Sequence, residues 1–350
     1  MSQILRRVAV ALILLLVVNP TVIAADASDE QESEIDVVGK ATNHDYFEIP
    51  FGKIYLPRIL LADGQWYFYS STYSAVESGE FVQGEEGLVR ADGVPVSLDM
   101  SITSHLIYLW LGLLLTFFIT IWAGKRYRNG VGSKTEPKGA WQNTFEVLFV
   151  FIRDDIAKEF IPHGKHEKYV PYLYSIFMVI AFLNLFGLLP WGAAATANLT
   201  VTATLAAITF VLTQIAGTKD YWAHVFMFPG VPGWSRFILT PVEFLGLFTK
   251  PFALAIRLFA NMLSGKIMIV SILGLIFIFS DLFGAAIGVG SGVFWVLLTA
   301  ALYFLKALVA LIQAYVFTLL SAVFIGMAAE EHHHHHDESS VTQTKEVELQ

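Results

Sequence analysis

Cysteine is absent from the 350-residue chain, which excludes disulfides, thiolate metal sites, cysteine nucleophiles and palmitoylation together. Charge is scarce as well: 15% of the residues are charged, where a soluble domain carries about 25%. There is no positive excess. The formal charge of −8 offers no support for nucleic-acid binding. Acidic residues gather in Asp26–Asp36 and Glu330–Glu348, so this balance describes the two ends rather than the middle. What is abundant is apolar length. Hydrophobic residues make up 55% of the chain and the mean hydropathy is +0.59. Uncharged runs of about 18 or more residues read as membrane-spanning helices.

Residues 1–25 have the layout of a secretory signal peptide: Arg6 and Arg7, an apolar Val8–Val18, then Val22-Ile23-Ala24 as a small-residue cleavage site. The acidic stretch 26–42 reads as a linker. From Asp45 to Leu98 the texture becomes β-forming, with Tyr46–Pro50, Ile54–Leu56 and Gln65–Tyr69, and Asp63-Gly64 marks a hairpin turn. The first span is Ser101–Ala123. It ends in the basic cluster Gly124–Arg128, which the positive-inside rule places in the cytoplasm. A signal peptide puts the β-rich module on the opposite side, so the two arguments agree.

Residues 139–160 carry apolar Phe145, Leu148, Phe149 and Ile152 at helical spacing and end in Arg153, Asp154, Asp155 and Lys158. That pattern predicts a helix lying along the membrane surface. Tyr169–Thr218 has no charge, and Leu189-Pro190-Trp191-Gly192 divides it into two spans joined by a tight outer turn. A cytoplasmic loop with Lys219 and Arg236 follows. The stretches Thr240–Ser280 and Val293–Met327 are both longer than one perpendicular crossing, and a Gly-rich turn is expected over Asp281–Gly292.

The expected fold is therefore an all-α integral membrane protein with five crossings and a surface helix. Its last two helices form a long tilted hairpin, and a small β-rich extracytoplasmic module precedes the spans. Expected divisions are 1–25 signal peptide, 26–98 linker and module, 99–331 membrane domain, and 332–350 a His-rich, acidic cytoplasmic tail. The N-terminus lies outside and the C-terminus inside.

Charges inside the apolar stretches are the most informative residues. Arginine at a helix centre costs about 2.5–3.5 kcal/mol on insertion scales, so its presence there points to function. Arg257 is flanked by Ile256, Leu258 and Phe259. Glu243, the one acid upstream in its helix, lies fourteen residues away, about 21 Å along the axis, so the two cannot pair directly. A partner on another chain is the attractive reading. Glu243, Lys250, Arg257 and Asn261 fall close to one helix face, a polar stripe that an aqueous path would need.

Pro251–Gly265, with Arg257 and Asn261 inside it, resembles the signature of F-type ATP synthase subunit a around its essential arginine. Leu311–Phe317, Met327–His332 and Asn184–Pro190 are similar to further patterns of that family, and the resemblance spans about Asp99–His332. The resemblance implies a stator subunit in a bacterial inner membrane, conducting protons through two offset half-channels to and from the carboxylates of a c-ring. Its further partners would be subunit b and, indirectly, the F1 sector. Arg257 would face each ring carboxylate; Asn261 and Gln313 would line the outer half-channel and Glu243 the inner one. The subunit itself would be non-catalytic, without cofactor or metal. One departure stands out: where the family carries an acid and a histidine in the outer half-channel, this chain has Lys266 and Lys306. Two facing lysines repel, unless one is neutral, turned away, or balanced by an acid such as Asp281.

A secondary transporter is the alternative class, but such folds show internal repeats, and the arginine segment has no second copy. An intramembrane enzyme would need a nucleophile and base or a metal pair, and no span supplies one. His332–His336 reads as part of a solvated tail. The choice of proton over sodium, and the ring stoichiometry, are set by residues on other chains.

Overall fold

The computed structural model describes residues 46–49, 52–84, 87–94, 96–129, 139–162, 164–189, 192–227 and 233–330. The expected signal peptide, acidic linker and His-rich tail lie outside these residues, as does Pro190-Trp191.

The first part forms three small antiparallel sheets: the hairpin β1 (Tyr46–Ile49) with β2 (Gly52–Tyr55); β3 (Arg58–Ala62) between β4 (Gln65–Tyr69) and β7 (Leu98–Asp99); and β5 (Phe81–Gly84) with β6 (Gly87–Arg90). The predicted turn is present. Asp63 and Gly64 have φ of 52° and 74°, the positive pair that a two-residue turn matching strand twist requires. A short helix α1 (Thr72–Glu77) closes a small core of Leu60, Ala75 and Phe81, all buried. Tyr67 and Tyr69 meet the Phe81 ring edge-on. Arg58 binds the Thr72 hydroxyl (2.8 Å) and the Asp99 carboxylate (3.5 Å), joining α1 and β7 to the central strand.

Among the described residues five helices are long and apolar enough to cross a membrane: α2 (Ser104–Arg128), α4 (His166–Leu188), α5 (Leu199–Ala216), α7 (Gly233–Phe283) and α8 (Ala285–Ala329). Between them lie α3 (Ala140–Phe151), which runs on through a π-helical turn Ile152–Ala157 to Phe160, and α6 (Lys219–Met227). The π turn is held by Asp154, which accepts from Arg153 (2.7 Å) and from Lys158. These two cations keep its carboxyl below the usual carboxylate range. The middle helix is α4: two thirds of its crossing is buried, against less than a quarter of α2.

The structure departs from the sequence expectation at the long helices. The Gly-rich stretch 281–292 is helical apart from Gly284, whose φ of 90° makes the whole reversal. The expected loop at Lys219 is helical too. In hydrocarbon an unpaired backbone group costs several kcal/mol, whereas glycine in a helix costs about 1 kcal/mol relative to alanine. Helix therefore wins wherever it can. The result is a hairpin of 51- and 45-residue helices.

The final carbonyls of α8 would be left open by the helix itself. They are taken up from elsewhere: the Thr218 N–H binds Ala328 O (3.0 Å), its hydroxyl binds Glu330 O (2.8 Å), and Lys165 Nζ binds Ala329 O (3.1 Å). A Cβ on Gly326 would stand 1.8 Å from the Phe160 carbonyl oxygen. The end of α8 is thus locked onto the segment after α3 and the start of α6.

Candidate functional site

The α7–α8 hairpin sets the site. Ser280 lies against Gly288, the Phe279 and Trp295 rings meet at 5.5 Å, and Lys306 reaches Asn261. Carried onward at equal rise per residue, this antiparallel register brings Gln313 to the level of Arg257. Pro251, six residues before the arginine and inside α7, cannot donate to Leu247.

Arg257 is exposed on the flank of α7 while its neighbours Leu254, Ala255 and Leu258 are buried. Among the described residues its guanidinium has no hydrogen bond and no ion pair. The arginine therefore projects from the chain rather than gluing its helices. Asn261, one turn on, is half-buried. Gln313 is 6% exposed and its Nε2 has no hydrogen-bond partner, an unusual state for a buried amide.

Lys266 and Lys306 do not confront each other. Lys266 Nζ donates to Gly192 O (2.6 Å), in the segment between α4 and α5; Lys306 Nζ donates to Asn261 O (3.2 Å). The Lys306 side chain lies across Gly265, where a Cβ would fall 2.7–3.0 Å from its Nζ, Cε and Cδ. Asp281 is exposed and makes no ion pair among the described residues.

Toward the other end of α7, Lys250 is half-buried and lines a cavity of about 30 Å³ with Thr209, Thr213, Gln214 and Tyr221. One water would fill it. Gln214 Oε1 is buried there without a partner. Glu243 lies near Tyr221, whose phenol is raised above its ordinary value by burial first and by the Glu243 charge in smaller part. Glu243 and Arg257 are thus served by different surroundings, with Lys250 between them along α7.

Two polar links had no sequence signal beyond being polar residues in apolar runs. Buried Asn184 donates to Ala310 O (3.1 Å) and accepts from Thr196 (2.9 Å), tying α4 to α8 at the site's level. Tyr172 and Thr209 share a 2.6 Å hydrogen bond, and Thr209 approaches Ser321 at 3.5 Å. Asn184 stood within a family-like string; its bridging role did not.

A polytopic helical bundle with a long C-terminal hairpin, on which Arg257 is unpaired among the described residues, fits a membrane ion-transfer subunit. The ATP synthase A chain family matches residues 106–326, and the chain belongs to that family. It is 42% identical over 262 residues to an ATP synthase subunit a of Chloroherpeton thalassium, covering 73% of this chain and 75% of the relative. The corresponding protein of Myxococcus xanthus is 45% identical over 251 residues, covering 70% and 77%. That of Chlorobium phaeobacteroides (strain DSM 266) is 45% identical over 237 residues, covering 66% of each.

Proposed function

We propose that this chain is the stator subunit of a bacterial F-type ATP synthase that passes protons to and from the carboxylates of a rotating c-ring. The observation that carries the reading is the exposed guanidinium of Arg257, without a partner among the described residues, in the middle of the longest apolar helix. A fixed positive charge favours the ionised form of a carboxylate brought beside it. Arginine keeps that charge at any physiological pH, which lysine in an apolar site does not guarantee. Each ring carboxylate that reaches Arg257 gives up its proton. A carboxylate cannot pass the arginine protonated and carry a proton straight through, so leakage between the two half-channels is blocked.

Asn261, Gln313 and the two lysines Lys266 and Lys306 line the outer path in this reading. The Gln313 amide, buried without a partner, supplies a donor for water along it. The inner path runs from Glu243 and Tyr221 through the cavity at Lys250. A membrane potential supplies about 2.3 kcal/mol per charge per 100 mV, so several ions must pass per ATP made. The chain performs no hydrolysis; its chemistry is proton exchange with a partner. Subunit b and the F1 sector complete the machine. The basic Lys125, Arg126 and Arg128 at the end of α2 support an orientation with that end in the cytoplasm, the β-rich module outside and the C-terminus inside.

The test is ATP-driven ion uptake into inverted vesicles carrying the assembled complex. Arg257→Ala is expected to abolish uptake while the complex still assembles and hydrolyses ATP. Uptake at the wild-type rate would overturn the assignment.

A further inference from the structure

The three-stranded sheet of the N-terminal module covers one face with its small core, and the other face, apolar throughout, is left open among the described residues. In β3, Leu60 and Ala62 point to the buried core with Phe81 and Ala75. The alternate residues Ile59 and Leu61 point the other way. Ile59 pairs with Phe68, Leu61 pairs with Trp66 on one side and with Leu98 on the other. Directly opposed residues share a face, so Ile59, Leu61, Trp66, Phe68 and Leu98 form one continuous apolar surface across all three strands. No charged residue lies in it. Trp66 is 49% exposed and Phe68 is 69% exposed, and their rings stack at 6.5 Å. A sheet face meant for water carries polar side chains; this open face carries none.

The position of the sheet says what covers it. β7 ends at Asp99 and the first membrane helix, α2, begins at Ser104. The connection is not free: Met100 N–H binds Ile59 O (2.9 Å), Ile102 N–H binds Pro57 O (3.3 Å), and Ser101 Oγ accepts from Ile59 N–H (3.1 Å). The central strand, which carries Ile59 and Leu61 of the apolar face, is therefore fixed to the mouth of the span. The neighbouring hairpin comes lower still. Phe47 of β1 packs on Tyr108 of α2, ring centroids 5.2 Å apart, one turn inside the helix, where the lipid-facing flank with exposed Trp110 and Leu111 begins. Tryptophan and other aromatic rings favour the boundary between headgroups and acyl chains.

We infer that the Trp66–Phe68 face is a membrane-docking surface, seated in the lipid headgroup boundary of the leaflet where α2 begins. The occupant is lipid, and the surface is continuous with the lipid-facing flank of α2. The inference is independent of Arg257 and of ion transfer.

The absence of cysteine makes the test clean. Phe68→Cys and Tyr73→Cys, each labelled with a nitroxide, are compared in the full chain in phosphatidylethanolamine–phosphatidylglycerol vesicles. Tyr73, on α1, is 73% exposed and serves as the water-facing reference. At position 68, collisions with oxygen are expected to exceed those with a water-soluble nickel chelate several-fold, with the reverse at 73. Equal nickel access at both positions overturns the inference. So does shielding of position 68 from both reagents, which would mean a protein partner. If Phe68→Cys does not fold, the conservative pair of wild type and Trp66→Phe gives the same answer with acyl-brominated lipids. The Trp66 emission, taken as their difference, is expected to be quenched; unchanged emission overturns the proposal.

Discussion

Gly265→Ala tests the placement of Lys306, one of the two lysines assigned to the proposed outer path. A methyl at position 265 would stand 2.7 Å from Lys306 Nζ, 2.8 Å from Cε and 3.0 Å from Cδ. All three are inside normal carbon contact, so the side chain must swing away. Its hydrogen bond to Asn261 O, 3.2 Å in the wild type, is then lost. A hydrogen bond from a charged donor contributes about 1.5–3 kcal/mol. Against that, alanine in place of glycine within a helix stabilises by about 1 kcal/mol. The net expectation is destabilisation of about 0.5–2 kcal/mol. In a Lys306→Ala background there is nothing left to displace, and the same substitution should stabilise by about 1 kcal/mol. The sign therefore reverses between backgrounds, a coupling of about 1.5–3 kcal/mol. The assay is SDS-driven unfolding of the purified full chain in mixed micelles, followed by helical circular dichroism, for the four members of the cycle. If Gly265→Ala shifts both backgrounds by the same amount, Lys306 does not cross that glycine and the geometry argued above is wrong.

Gly326→Ala should destabilise more than a typical overpacked core substitution, about 1–3 kcal/mol, because the methyl meets the Phe160 backbone oxygen at 1.8 Å rather than a movable side chain. Gly246→Ala, in the same kind of helix with nothing within 4 Å, should leave stability unchanged or raise it; equal losses in that unfolding assay would refute the α8–Phe160 contact. Asn184→Leu removes the link to Ala310 O and strands the Thr196 hydroxyl, for an expected loss of about 1–2 kcal/mol, and unaltered unfolding would mean the bridge carries no energy. Asp154 is held ionised by Arg153 and Lys158, so its folded pKa lies below its unfolded one. Its contribution is present above the ordinary carboxylate range and is lost as pH falls through and below it. The stability gap between wild type and Asp154→Asn should accordingly close on acidification, and a gap constant with pH would refute the pairing.

The membrane part was legible because its signals are one-dimensional. Charge-free runs, the basic cluster after the first span and the Asp-Gly turn each map onto a local structure without reference to the rest of the chain. Arg257 stood out for the same reason: a charge within an apolar stretch is costly to insert whatever surrounds it. The helix ends were harder. Gly-rich 281–292 looks like a turn by composition, and only the demand for paired backbone groups in an apolar medium explains why Gly284 alone carries the reversal. Pairings across the bundle were out of reach. Asn184 and Ala310 are 126 residues apart, and Lys165 and Ala329 are 164 apart. No periodicity says that a lysine after the surface helix caps the last helix, or that Lys306 threads past a glycine on the preceding one.

The electrostatics of the hairpin give the two lysines a meaning that their charge alone would contradict. Lys266, Lys306 and Arg257 are all cations on a structure that receives a carboxylate in the proposed reading, and a lysine offered openly would compete with the arginine for it. The geometry removes that competition. Both ammonium groups are drawn onto backbone carbonyls, Lys266 onto Gly192 and Lys306 onto Asn261, while the guanidinium alone lies exposed without a partner on its helix flank. A lysine whose hydrogen bonds are taken up by backbone is less available to an incoming carboxylate than an arginine with none made. In the proposed reading this leaves Arg257 as the contact that an arriving carboxylate reaches.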